Sequence, residues 1–460
     1  MKLTYLIVLS ILITNAVGCK KFLQQEPYNT LSVTDIFKDV EGARTVLINC
    51  YDDLKTNDYY MRNMSVYADL VGGNIKYSRA TNQTLFQTYS LNNTATATEW
   101  TTFFTNAYNI IYACNSVLEN VENISDANIF QKNRFKAEAK TLRALVHFDL
   151  VRIHALMPNY TSNASHSGIT IRKINTNAST PPATPSTVGE VYTFILQEID
   201  SSIALYNNSV AIYPSGNDRT YCSANAARAL KCRAALYNND WATVIATANA
   251  IPAATYPLIT NANYINAWRG KVVLTEGILE LDYGNRVSSA LGDYYNNAST
   301  NVQYAATNDL LNIYDAADVR SRTSMYNTYV VNGSPFLFTK KYNGVRDSAN
   351  NIRLLRMSEV ILSRAEAYAE TNNLTAALTD LNLIKKRAWP AAPTYTSTIQ
   401  QDVITEILKE RRKELCFEGH LLFDISRKKQ NLIRGAECQA SINCTVMYPS
   451  NIFAIPIPLN

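Results

Sequence analysis

A chain of 460 residues with 47% hydrophobic content is long enough for one large or two to three ordinary domains around a sizeable buried core. Its 43 basic and 38 acidic residues give a formal charge of +5, but charged residues are only 18% of the chain and form no dense basic run. That argues against a nucleic-acid partner, because phosphate neutralisation needs a basic stripe.

The leader comes first in chain order. Lys2 followed by the apolar stretch from Leu3 to Val17 has the layout of a secretory signal, too short to span a bilayer comfortably. Ala16, Val17 and Gly18 lead into Cys19, a pattern that resembles a bacterial lipobox, in which the cysteine is acylated and becomes the new N-terminus. Ala16 stands where that motif usually has Leu. Residues 1–18 are therefore read as a lipoprotein signal peptide and Cys19 as a lipidation site, with acyl chains tethering the mature chain to a membrane surface. After Cys19 no segment reaches the roughly 18 apolar residues of a spanning helix.

The mature chain reads mostly as helix, in stretches near 36–56, 101–155, 187–251 and 352–420. Between the first two lie Tyr59, Tyr60, Tyr67 and Tyr77, with Asp69, Asn74 and Arg79 beside them. Trp100, which precedes "FFTNAYNIIYACNSVLENV", is read as a core anchor as readily as a binding residue. In "RFKAEAKTLRALVHFDLVRIHA", Phe135, Ala139, Leu142, Val146, Leu150 and Ile153 recur at steps of three and four, which predicts one apolar face of a long amphipathic helix. His147 and His154 fall on either side of it, without metal-ligand spacing. A Ser/Thr/Asn/Pro-rich segment, 161–187, reads as a surface connection.

Residues 229–251 and "RAEAYAETNNLTAALTDLNLIKKRAWP" read as helical hairpins. In the second, Ala365, Tyr368, Ala377 and Leu381 stand at the small and aromatic positions of a tetratricopeptide repeat. The region 268–342 has short β-like runs, "GILELDY" and "FLFTKKY", between polar loops, and carries Tyr283, Asn285, Arg286, Tyr294 and Tyr295. A last stripe, Ile404, Leu408, Arg411 and Leu415, predicts a helix capped by Gly419. Seven cysteines follow Cys19. Cys438 and Cys444 form a plausible bridge, and most of the others read as small core residues. No glycine-rich loop and no Cys/His spacing asks for a cofactor or a zinc ion.

Several stretches together resemble the SusD/RagB family of outer-membrane nutrient-binding lipoproteins of Bacteroidetes. They are "CKKFLQQEP", "AEAKTLRALVHFDLVRIHALMP", "DLLNIYDAADVRS", "RLLRMSEVILSRAEAY", "ILKERRKELCFEGHLLFDISRK" and "IFAIPIPLN", spread over nearly the whole mature length. The resemblance implies a mostly α fold over 19–460, a tetratricopeptide-like helical-repeat body with a loop-rich ligand face near 268–342. It also implies a non-catalytic role as a lid on a SusC-like, TonB-dependent transporter, holding an oligosaccharide or, in some members, a peptide. Lys20 and Lys21 stand where the family often has an acidic export pair.

The ligand candidates are Tyr59, Tyr60, Tyr67, Asp69, Asn74, Tyr77 and Arg79 from one region, and Tyr283, Asn285, Arg286, Tyr294 and Tyr295 from the other. Aromatic faces pack on the apolar faces of sugars while amides and charges fix the hydroxyls. Two other classes compete. Glu410, Glu414 and Glu418 could serve a glycoside hydrolase if two of them converged on one sugar, but Arg411, Arg412 and Lys413 beside them suggest ion pairs instead. A scaffold or adhesin would use the helices for protein contacts alone.

Overall fold

The computed structural model describes residues 33–176, 183–214, 219–270, 272–282, 290–296, 302–342, 350–440 and 443–459. The leader, Cys19, Tyr283, Asn285 and Arg286 lie outside the described residues. The body is built of helices α1 (Val40–Leu54), α2 (Asn63–Gly72), α3 (Thr101–Asn120), α4 (Ile129–His154), α5 (Val188–Tyr206), α6 (Ala224–Tyr237), α7 (Trp241–Asn249), α8 (Met357–Glu370), α9 (Leu374–Ala388), α10 (Gln400–Leu415) and α11 (Leu421–Arg427).

Local chemistry starts many of them. Asp39, Ser223, Asp240 and Asn373 each accept a backbone N–H of the first turn, and full capping boxes begin α4 at Asn128/Gln131 and α5 at Thr187/Glu190. From α3 to α9 each helix packs on the next apart from the interposed strands, so that the mostly α, tetratricopeptide-like body implied by the family resemblance is what forms. In the α8–α9 hairpin, Ala365, Ala369, Ala377 and Leu381 share one core with Val403, Ile404 and Ile407 of α10. Small side chains let the two helices approach, and the larger ones fill the space left.

Two expectations are corrected. Helix α4 is not amphipathic: Arg134, Glu138, Arg143, His147, Asp149 and Arg152 are buried along with its apolar stripe, because α3 and α5 cover it from both sides. The polar residues there are paired, Arg143 with Glu198 at 2.5 Å and Arg152 with Asp149 at 2.7 Å. Gly419 does not cap α10, which ends at Leu415. It lies in a turn at φ +79, so close to α2 that a Cβ would fall 2.1 Å from the Met64 carbonyl oxygen.

The described strands pair as four two-stranded antiparallel ladders. They are β1 (Ile75–Tyr77) with β3 (Tyr304–Ala306), β2 (Gly277–Leu281) with β6 (Ile352–Arg356), β4 (Tyr326–Val331) with β5 (Ser334–Thr339), and β7 (Leu432–Ile433) with β8 (Thr445–Val446). Asn332 and Gly333, both at positive φ, turn the β4–β5 hairpin.

The strand-bearing part is fastened to the helices by buried charge. The Arg356 guanidinium reaches Glu276 and Glu414 through Nη1, each at 2.7 Å, and Glu418 through Nε and Nη2, each at 2.8 Å. Arg320 reaches Asp318, Glu410 and Glu414 at 2.7 to 2.8 Å. The glutamates of α10 are therefore ion-paired, but with partners distant in sequence. Among their own neighbours, Arg411 turns to Asp424 at 2.9 Å, Arg412 to Asp309 at 2.6 Å, and only Lys413 leans toward Glu410, at 3.9 Å. Residues adjacent on a helix point to different sides, so the nearest charges in sequence are not the nearest in space.

Candidate functional site

The two regions singled out in the sequence meet in space. Ladder β1–β3 joins them, Ser78 N–H extends it to the Gln303 carbonyl at 2.9 Å, and Gln303 N–H bonds back to the Tyr294 carbonyl at 3.0 Å. Around the ladder the rings form a seam. Tyr77 lies 5.6 Å from Tyr304, 5.4 Å from Tyr89 and 6.1 Å from Phe86, and Tyr304 lies about 6 Å from both Tyr294 and Tyr295.

A third segment buttresses it. The Gln439 side chain accepts Tyr77 N–H at 2.7 Å and donates to the Tyr77 carbonyl at 2.8 Å, while the Arg434 guanidinium sits 4.4 Å from the Tyr89 ring centroid. Cys438 and Cys444 are joined in a disulfide beside these contacts. On the other side Lys76 pairs with Glu437 and stands 5.3 Å over Phe336 of the β4–β5 hairpin.

The seam reaches solvent at Phe86, which is 40% exposed, and at half-buried Tyr294 and Arg79. The loop that presents Phe86 carries exposed Thr81, Asn82 and Gln87. Asn82, Leu85 and Leu91 in it adopt φ between +54 and +61. Three non-glycine residues in the left-handed region within one short loop is a costly backbone, held by its surroundings, and such strain gathers at functional segments. Thr84 supplies much of the hold: its carbonyl accepts both Tyr77 Oη at 2.8 Å and Tyr304 Oη at 3.1 Å. Those phenols are pushed above their usual range by burial, so Tyr77 and Tyr304 stay neutral and keep their rings suited to stacking.

Several candidates belong to the core instead. Tyr59 and Tyr60 are buried and donate to Asp149 at 3.0 and 2.7 Å. Tyr67 packs edge-on against Trp100 and Phe423, which settles Trp100 as a core anchor. Asp69 and Asn74 are buried and bonded to each other at 2.5 Å, and Asp69 also accepts Gly419 N–H at 2.7 Å. Burial raises the Asp69 carboxyl to about 6. Tyr295 is buried between Tyr342 and Phe417, and Tyr77 is covered by its ring neighbours. Of the described candidates, Tyr294 and Arg79 remain accessible to a ligand.

Phe86, Tyr89, Tyr304, Arg434 and Gln439 went unnoticed in the sequence, where the 434–444 stretch stood out only for the Cys438–Cys444 bridge. Phe86 and Tyr89, three apart in "FQTY", carry a faint helical signal, but nothing local announces that residues some 220 positions away complete the surface. Among the described residues no group of His, Cys, Asp or Glu is arranged to hold a metal ion, and no helix is long and apolar enough to cross a membrane.

Comparison with known proteins decides the family. Residues 21–236 match a family model described as "Starch-binding associating with outer membrane", and residues 261–441 match the model of the SusD family. The chain belongs to the SusD/RagB family. Among its relatives is SusD-like protein P25 of Formosa agariphila, 21% identical over 93% of this chain and 90% of the relative. A SusD superfamily protein of Bacteroides thetaiotaomicron superposes with a TM-score of 0.81 at 22% identity, over 91% of this chain and 96% of that one. A SusD-like carbohydrate binding protein of Bacteroides vulgatus gives 0.74 at 22% identity, over 86% and 85%. The SusD-like fold thus spans both the helical body and the strand-bearing part.

Proposed function

We propose that this SusD-like protein is an outer-membrane lipoprotein, tethered through Cys19 and facing outward, that captures an oligosaccharide on the seam and delivers it to a SusC-like, TonB-dependent transporter. The observation that carries the reading is the convergence of Phe86, Tyr294 and the amide-bearing loop that runs from Arg79 to Gln87 on one rigid aromatic base. A sugar's C–H face packs on rings, and side-chain amides satisfy its hydroxyls. The description of the family model matched by residues 21–236, which names starch binding and the outer membrane, and the lipobox-like leader support the same reading.

A hydrolytic role has less to draw on. Glu414 is shared among Arg320, Arg356 and Arg387, and these cations hold its carboxyl well below the usual range, leaving no proton to donate. Glu410 and Glu418 are paired with Arg320, Arg356 and Lys341.

The test is a glycan and peptide array probed with the full chain and with Phe86→Ala and Tyr294→Ala, together with affinity capture from outer membranes to see whether a TonB-dependent β-barrel transporter co-purifies. Retention of one glycan class, lost in both variants, is the expected result. Binding to peptides alone, or glycan binding indifferent to both substitutions, refutes it.

A further inference from the structure

On the side of the helical body formed by α3, Phe104, Tyr108 and Tyr112 line up at steps of four on its outer face. Phe104 and Tyr108 lie 4.9 Å apart, and Tyr112 is 53% exposed. Opposite them runs the extended segment 170–176, and between the two walls is a pocket of about 390 Å³, within the size range of ligand sites.

Both walls are fixed. Tyr108 Oη donates to the Thr170 carbonyl at 2.9 Å, Arg143 donates to the Lys173 carbonyl at 2.8 Å, and Arg172 N–H donates to His147 Nε2 at 3.3 Å. Asn175 N–H bonds to Glu119 at 2.8 Å and its Nδ2 to Ser116 Oγ at 2.8 Å. With these groups already engaged, the wall offers little free backbone edge for a peptide strand to extend.

What stays unengaged is side-chain chemistry. Arg172 is the one charged residue among the described residues lining the pocket. The Asn175 Oδ1 atom is buried without a partner. Asn109 is exposed on the α3 wall. A cation, amides and a row of rings in one preformed groove match a sugar that carries an acidic group, with the rings under its apolar face and Arg172 on its anion.

We propose that this groove is a second glycan site, separate from the seam at Phe86, that takes a carboxylated or sulfated oligosaccharide. It places a contact for an acidic chain on the helical body itself.

The experiment is calorimetric titration of the full chain at low ionic strength with oligogalacturonates, with the matching methyl-esterified oligomers, and with sulfated galactan oligomers. Saturable binding of at least one acidic probe is expected, weakened tenfold or more by Arg172→Gln and fivefold or more by Tyr112→Ala. Phe86→Ala leaves it unchanged. Neither substitution removes one of the wall hydrogen bonds, since Tyr112 and Arg172 contribute to them only through the backbone, and melting curves of both variants check that the fold is intact. The proposal is overturned if no acidic probe binds, if the esterified oligomers bind equally well, if Arg172→Gln and Tyr112→Ala bind like the parent, or if an acidic peptide displaces the sugars at lower concentration.

Discussion

Replacing Arg356 by Met removes the busiest guanidinium of the buried network. All five of its N–H groups are used: Nε on Glu418, Nη1 on Glu276 and Glu414, and Nη2 on Glu418 and the Glu414 carbonyl at 2.9 Å. Methionine fills much of the volume but leaves three carboxylates short of a cation in a place that water does not reach. Losing one partner of a buried ion pair costs about 3–5 kcal/mol. The loss should stay in that range rather than scale with three pairs, because each carboxylate keeps another donor. Glu418 retains Lys341 at 2.6 Å, Glu414 retains Arg387 at 2.5 Å and Arg320 at 2.8 Å, and Glu276 retains Ser358 at 3.0 Å. Arg356→Lys, which keeps the charge with fewer donors, should lose less.

Urea unfolding at neutral pH, followed by circular dichroism, gives the difference from the shift in midpoint at constant slope. The Met variant should also recover part of its loss as the pH is lowered, since the stranded carboxylates then bind protons more readily in the folded protein than in the unfolded chain. A Met variant within about 1 kcal/mol of the parent, a size typical of exposed pairs, would mean that this network is hydrated and that the fastening described above is wrong.

Further outcomes are expected from the same reasoning. Gly419→Ala should destabilise by more than about 2 kcal/mol because its Cβ meets the Met64 carbonyl, whereas Gly333→Ala, at a similar φ with open space around it, should cost only about 1 kcal/mol; equal losses in thermal melts would refute the contact. Tyr60→Phe should cost roughly 1–2 kcal/mol through the lost bond to Asp149, yet leave glycan retention untouched; loss of retention in a stably folded variant would return Tyr60 to the ligand face. Burial holds His147 and His154 down at about 4, so between pH 6.5 and 4 the unfolded chain binds protons that the folded one does not, and stability falls by up to about 1.4 kcal/mol per pH unit for each. Asp69, raised to about 6, opposes this below pH 6, because there the folded state takes the proton first. His154→Asn, which can still donate to the Ile455 carbonyl, should flatten the acid slope of the urea midpoint; an unchanged slope would count against a buried neutral imidazole.

The helices were legible in the linear order of residues because their signals are local: an apolar step of three and four, a capping side chain, a small residue opposite a large one in 365–381. Motif order likewise pointed to the SusD/RagB family. Burial of individual side chains was not legible. Tyr59, Tyr60, Tyr67 and Tyr295 have the same composition signature as a ligand-stacking tyrosine, and only the surrounding helices and loops turn them into core. The glutamates of α10 show the same division, since their character as ion pairs could be read from neighbouring charges but their true partners, Arg320, Arg356 and Arg387, come from elsewhere in the chain. Periodicity acts over a few residues, whereas exposure and charge pairing depend on which distant segments arrive. The seam at Phe86 exists because residues 75–77 pair with 304–306, and nothing within either stretch specifies the other.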